Sequence, residues 1–180
     1  MAFSLRVALP EDVSGIRVLI AESVRGLQVQ YSVAQREAAL RTVFTVDSQL
    51  IADGSYFVAL SPEGELAGCG GWSFRKTLYG GDAQVERIEP ERLDSAVDAA
   101  KVRAIFVGLK FARIGLGRLR LEASEQAAVT AGFKRFETGS TLAGVPLYAL
   151  KGYREVGRLA VPVGDGEAVE VVRMMKECVG

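Results

Sequence analysis

Residues 106–136 read FVGLKFARIGLGRLRLEASEQAAVTAGFKRF. Gly115 and Gly117 stand one residue apart between Arg113 and Arg118, directly ahead of an Ala/Leu-rich run. A glycine inside a helix costs roughly 1 kcal/mol relative to alanine. Two of them at a helix start therefore point to a use of bare backbone. Such a start offers unpaired N–H groups and the positive end of the helix dipole. Glycine there lets an anion approach without meeting a Cβ, and the two arginines add charge. The same spacing also fits a plain strand-to-helix turn, and the residues alone leave both readings open. No G-x-x-x-x-G-K-[ST] loop exists, and the dinucleotide fingerprint fails at its third glycine, where Arg120 stands.

Working outward, AKVRAIFV (100–107) is an apolar, β-branched run that predicts a strand buried on both faces. Beyond the glycines, Leu119, Ala123, Ala127 and Ala131 recur every three or four residues, a narrow face expected to lie close against a sheet. Gly132 closes that helix. KRFETGST (134–141) predicts a strand, and AGVPLYALKG (143–152) a short helix closed by Gly152. YREVGRLAVPV and AVEVVRMMKEC, joined through GDGE (164–167), predict a terminal hairpin.

Upstream, FSLRVAL (3–9) reads as a strand and PEDVSGIRVLIAESV (10–24) as a helix with Pro10 and acids at its front. SVAQREAALRTVF (32–44) reads as a second helix, N-capped by Ser32. DSQLIADG (47–54) reads as a connector, SYFVALS (55–61) as a strand and ELAGCGGWSFRK (65–76) as its hairpin partner. The GCGG run marks a bulge or a close approach of backbones. Residues 79–100, polar and acidic, read as a long loop with a helical turn near PERLDSAV. The resulting order is β-α-α-β-β-β-α-β-α-β-β, a mixed α/β domain expected to span 1–180 in one piece.

Composition narrows the chemistry. The chain has 180 residues, 22 basic and 22 acidic side chains, and no histidine. The neutral balance gives no global field toward nucleic acid or an anionic membrane. Without histidine, Ser-His-Asp and Cys-His catalysis and His-based metal sites are excluded. Acid–base work falls to carboxylates, tyrosines, lysines, cysteines or water. Cys69 and Cys178 match neither a disulfide framework nor a zinc site and read as structural thiols of a reducing, cytoplasmic setting. No signal peptide and no membrane-spanning run is expected.

The stretch RAIFV, FARIGLGR, AAVTAGF and AGVPLYALKGYREVG (103–157) resembles the GNAT superfamily of acetyl-CoA-dependent N-acetyltransferases, and the N-terminal half fits the same pattern. The family motif Q/R-x-x-G-x-G/A enters its third major helix. Here Ala112 holds the first position, Arg113 follows, Ile114 stands where a second arginine is common, and Thr141 stands where many members carry asparagine. A tyrosine four residues ahead of a Gly-aromatic pair is matched by Tyr148, Gly152 and Tyr153.

The resemblance implies a splayed mixed sheet flanked by about four helices, with acetyl-CoA in the split between RAIFV and KRFETGS. It implies pantetheine pairing at Phe106, Val107 and Gly108, and a pyrophosphate on the N–H groups of Ala112, Arg113, Ile114, Gly115, Leu116, Gly117 and Arg118. Tyr148 is then the expected general acid for the CoA thiolate, against a packed aromatic as the plain alternative. Trp72, Phe74 and Tyr79 are candidates for the acceptor pocket, with hairpin packing equally compatible, and Tyr31 is a weaker candidate. Glu86, Glu89 and Glu91 lie where a base could act but read as solvated charges, so no base is assigned. The implied partners are acetyl-CoA and an amine, with no metal, no nucleic acid and no membrane, and with a homodimer compatible. The acidic loop leans toward a cationic acceptor. The alternatives are a non-catalytic acyl-CoA-binding module or regulator of the same fold, or an enzyme of longer acyl-CoA.

Overall fold

The computed structural model describes residues 2–81 and 90–178. Seven strands form one sheet in the order β1-β2-β3-β4-β5-β7-β6. They are β1 (Ser4–Val7), β2 (Tyr56–Leu60), β3 (Leu66–Ser73), β4 (Ala100–Val107), β5 (Arg135–Ser140), β6 (Arg154–Gly164) and β7 (Glu167–Glu177). Every neighbouring pair is antiparallel except β4 and β5, which are parallel. A parallel pair needs a crossover, and α4 (Leu116–Thr130) supplies it.

The other helices are α1 (Val13–Leu27), α2 (Val33–Leu40), α3 (Ser48–Ala52) and α5 (Val145–Leu150). Among the described residues five helices thus flank the sheet, against the expected four or so. The additional one is α3, inside the stretch read as a connector. Asp47 starts it by accepting a hydrogen bond from the Gln49 N–H at 3.0 Å, and only Leu50 of its five residues is buried. So short a helix carries no period for a sequence to reveal. Ser32 caps α2 as expected, its Oγ accepting from Gln35 N–H while the Gln35 side chain accepts from Ser32 N–H. In the acidic loop, Asp94 accepts from the N–H groups of Val97 and Asp98, the turn expected there.

Both α1 and α4 pack on β3 and β4. One core cluster joins Ile16, Ile20 and Val24 of α1 to Val58, Cys69 and Phe106, and a second joins Leu121 and Ala128 of α4 to Val102, Phe136 and Met174. The buried side of α4 differs from the expected one. Leu116, Arg120, Leu121, Ser124 and Ala128 face the core, whereas Leu119 is exposed. Two polar residues occupy that stripe, so an apolar period fitted to the sequence lands about one residue off. The GCGG run is a close approach, as expected: a Cβ on Gly71 would lie 2.2 Å from the Ser55 carbonyl oxygen.

Among the described residues, no helix is long and apolar enough to cross a membrane, and no group of three His, Cys, Asp or Glu side chains is placed to hold a metal.

Candidate active site

The site begins where β4 leaves β5. The parallel ladder pairs Ala100 with Phe136, Lys101 with Glu137 and Val102 with Thr138, and stops. From Arg103 onward β4 runs with β3 alone, while β5 continues to Ser140 on β7. A cavity of about 210 Å³ fills the split. Its walls are Arg103 to Val107 on one side and Thr138 to Thr141 on the other, closed by Gly117 of α4 and by Gly144, Leu147 and Tyr148 around α5. The lining is completed by Ser23, Leu27 and Gln28 of the α1 end, by Val43, Phe44, Thr45, Leu78 and Tyr79, and by Val161 and Val171 of the terminal hairpin.

The glycine stretch enters the split as a turn. Arg113 and Gly115 both hold positive φ, 62° and 85°. Gly115 sits just before α4, and its carbonyl accepts the Leu119 N–H. The amides of the first helical turn lie ahead of that bond, without intrahelical acceptors. Gly117 reaches the cavity wall; Leu116 points into the core and is 2% exposed. Ile114 is exposed, and Arg118 is drawn along the helix surface to Glu122 at 3.0 Å. Gly108 donates its N–H to the Ala67 carbonyl at 2.8 Å, so β3 already takes that amide. Phe106 and Val107 line the split directly.

Tyr148 lies in the wall at 7% exposure, its ring edge-on to Tyr153 with centroids 5.2 Å apart. Burial pushes its phenol up to about 12, against a smaller opposite pull from the Thr138 hydroxyl. Thr141 lines the cavity and caps the turn before α5, accepting the Gly144 N–H at 3.2 Å.

The structure divides the expected acceptor residues. Tyr79 lines the cavity. Trp72 and Phe74 do not line it; each lies 5.8 Å from a ring partner, Trp72 against Phe133 and Phe74 against Trp72, and Arg75 and Arg92 cover Phe74. Tyr31 does not line it either. Its hydroxyl donates to the Glu170 carbonyl at 2.6 Å and accepts the Leu142 N–H at 3.1 Å, tying the α1–α2 connection to β7 and to the segment before α5. Glu91 pairs with Lys76 on the surface, and Glu86 and Glu89 lie outside the described residues.

One wall residue carries no mark in the sequence. Arg103 is 3% exposed and donates to Asp47 Oδ2 at 3.0 Å and to the Gly80 carbonyl at 2.8 Å. Its partners are 56 and 23 residues away, so only the fold pairs them.

Neither a protein-family model nor a curated protein matches this chain. Solved structures do. A GCN5-related N-acetyltransferase of Rhodopseudomonas palustris is 20% identical, with TM-score 0.69 over 98% of both chains. A GNAT superfamily phosphinothricin acetyltransferase of Sinorhizobium meliloti, solved with acetyl-CoA, is 20% identical, with TM-score 0.65 over 99% of this chain and 89% of its own. The PaiA N-acetyltransferase of Thermoplasma acidophilum, solved with coenzyme A, is 13% identical, with TM-score 0.65 over 98% of this chain and 99% of its own. At such identities the likeness is one of architecture, and along nearly its whole length the chain has the fold of the GNAT N-acetyltransferases.

Proposed function

We propose that the chain is an acetyl-CoA-dependent N-acetyltransferase acting through direct attack of an amine on the thioester. The observation that carries this reading is the split itself. The β4 backbone from Arg103 to Val107, paired with β3 but free on its β5 side, faces a cavity whose walls also hold the glycine-bearing start of α4 and a buried tyrosine. An extended pantetheine arm can pair with such backbone as an added strand would. A pyrophosphate suits the amides of the α4 start.

In the proposed reaction the amine nitrogen attacks the thioester carbonyl carbon, and an N–H of β4 near Val107 steadies the developing oxyanion. Collapse breaks the carbon–sulfur bond and leaves a thiolate. A thiol has a pKa of about 8.5, and Tyr148 stands near 12. Full transfer from this phenol would be uphill by about 5 kcal/mol at 1.36 kcal/mol per unit. Tyr148 therefore serves best as a hydrogen-bond donor to the sulfur, passing on the proton that the amine gives up as the amide forms. Apart from Tyr148, the titratable side chains on the described walls are Tyr79 and the ion-paired Arg103, so no base is assigned and the amine enters neutral. Leu27, Val43, Phe44, Leu78, Val161 and Val171 suit an amine carrying an apolar group, with Ser23, Gln28 and Thr45 as the polar side chains beside them. Residues 82–89 of the acidic loop that favoured a cationic acceptor lie outside the described residues.

The test is calorimetric titration with acetyl-CoA, using NAD as control, followed by thiol release with a panel of arylalkyl, alkyl and polyamine substrates. Saturable acetyl-CoA binding with amine-dependent thiol release is expected. Binding without release from any amine would favour a non-catalytic acyl-CoA module. No binding at millimolar acetyl-CoA would overturn the reading.

A further inference from the structure

Arg120 is the largest of the fully buried side chains, at 0% exposure. Its Nη2 donates to the Gly70 carbonyl at 2.7 Å and the Phe57 carbonyl at 3.0 Å. Its Nε and Nη1 have no partner among the described residues. A buried guanidinium served by carbonyls rather than by an anion is an expensive feature, and burial correspondingly lowers its hold on its proton. An apolar residue would cost less as core filling, so the two carbonyls need an explanation.

Gly70 stands opposite a β-bulge. The β3–β4 register passes from Cys69 with Phe106 to Gly71 with Arg103, which leaves Ala104 and Ile105 facing Gly70 alone. Ala104 takes a left-handed φ of 52°, rare for a residue with a side chain. A bulge removes backbone groups from the ladder, and here two side chains meet them. Arg120 reaches Gly70 from α4. Tyr56, which packs in the cluster under α1, donates its hydroxyl to the Ala104 carbonyl at 2.9 Å. The bulge is thus gripped from both faces of the sheet. Gly70 makes room for it: a Cβ there would lie 2.8 Å from Ile105 Cγ1.

The bulge sits one residue beyond Arg103, where β4 has just parted from β5. We infer that Arg120 and Tyr56 are positioning residues, holding the Ala104–Ile105 bulge so that the β4 backbone through Val107 stays turned into the split, toward the reacting carbonyl. The catalytic part of this inference rests on the acetyltransferase reading; the grip itself does not.

The test compares wild type with Arg120→Met, Arg120→Lys and Tyr56→Phe. Amide hydrogen exchange is followed in the segment 103–107 and in β7 as reference, alongside acetyl-CoA affinity and kcat with the best amine. Exchange in 103–107 should accelerate at least about fivefold in Arg120→Met and Tyr56→Phe, as expected for a lost hydrogen bond of about 1 kcal/mol, with β7 unchanged. Acetyl-CoA affinity should weaken by about threefold, because the same backbone pairs with the pantetheine arm, while kcat falls about tenfold, the excess expected when contacts made only in the transition state are lost as well. Arg120→Lys should recover part of both. Should Arg120→Met not fold, the near-isosteric Tyr56→Phe decides. Unchanged exchange in 103–107, equal acceleration in β7, or faster exchange with unaltered kcat would each overturn the positioning role. A wild type that binds acetyl-CoA but turns over no amine would sink the enzymatic reading, and the exchange data would still judge the grip.

Discussion

Replacing Gly117 by alanine separates what the protein needs from what a ligand needs. Gly117 is the second residue of α4 and lies on the cavity wall. A Cβ built there would sit 3.4 Å from Leu147 Cδ2 and 3.7 Å from Val107 Cγ2, ordinary contacts that nothing in the fold resists. Helix propensity and a stiffer unfolded chain favour the alanine by about 0.5–1 kcal/mol. For a chain of this size that raises Tm by about 1–4 °C. The same methyl stands where a pyrophosphate would close on the backbone. Hydrogen bonds to a charged group contribute about 1.5–3 kcal/mol, and disturbing one should weaken acetyl-CoA at least about tenfold, since 1.4 kcal/mol is a factor of ten. Gly115→Ala is the converse. A Cβ there would meet nothing within 4 Å, but φ is +85°, so strain of about 1–2 kcal/mol should lower Tm by about 2–8 °C. Calorimetric titration with thermal melts reads both variants. A Gly117→Ala protein that is as stable as expected and binds acetyl-CoA as tightly as wild type would refute the pyrophosphate seat.

Tyr148→Phe should lower kcat by about 10²-fold or more while leaving acetyl-CoA affinity within about twofold, a split that single-turnover kinetics checks. Because burial raises the Tyr148 phenol to about 12, the pH–rate profile should climb as the amine deprotonates and show no descending limb below about pH 10; a fall near pH 8–9 that vanishes in Tyr148→Phe would contradict this. Stability should fall in alkali. Below pH 10 the phenol is protonated in both folded and unfolded chains, and between about 10 and 12 only the unfolded chain releases its proton, which removes up to about 2.7 kcal/mol. Tyr56 and Tyr153 shift the same way. Melts from pH 8 to 11.5 should steepen above pH 9.5, less so in Tyr148→Phe; an identical slope in the variant would refute the assignment. Cys69, fully buried and pushed up to about 11, should resist iodoacetamide at pH 8 until the protein unfolds, with the half-buried Cys178 labelled first; mass mapping of the alkylated thiols shows which holds.

How much could be read beforehand depended on sequence distance. Ser32 with Gln35, the Gly132 and Gly152 helix ends and the turn at residues 164–167 are set within a few residues, and the structure shows each of them. Trp72 and Phe74 could not be placed, because a hairpin aromatic reads alike whether it lines a cavity or packs on Phe133. Tyr31 presented the same ambiguity, resolved only by Glu170 and Leu142, 139 and 111 residues away.

By itself the sequence determined the strands, four of the helices, the glycine-marked entry to α4 and the absence of histidine chemistry, because each is written in local period, backbone freedom or composition. Tertiary structure alone decided the rest. It ended the β4–β5 ladder at Val102 and so opened the split. It paired Arg103 with Asp47 on the wall. It also turned Arg120, a residue that merely broke a fingerprint in the sequence, into the buried strut behind the bulge. Those features depend on which carbonyls a sheet leaves unpaired when its strands part, and that is settled only when all the strands are in register.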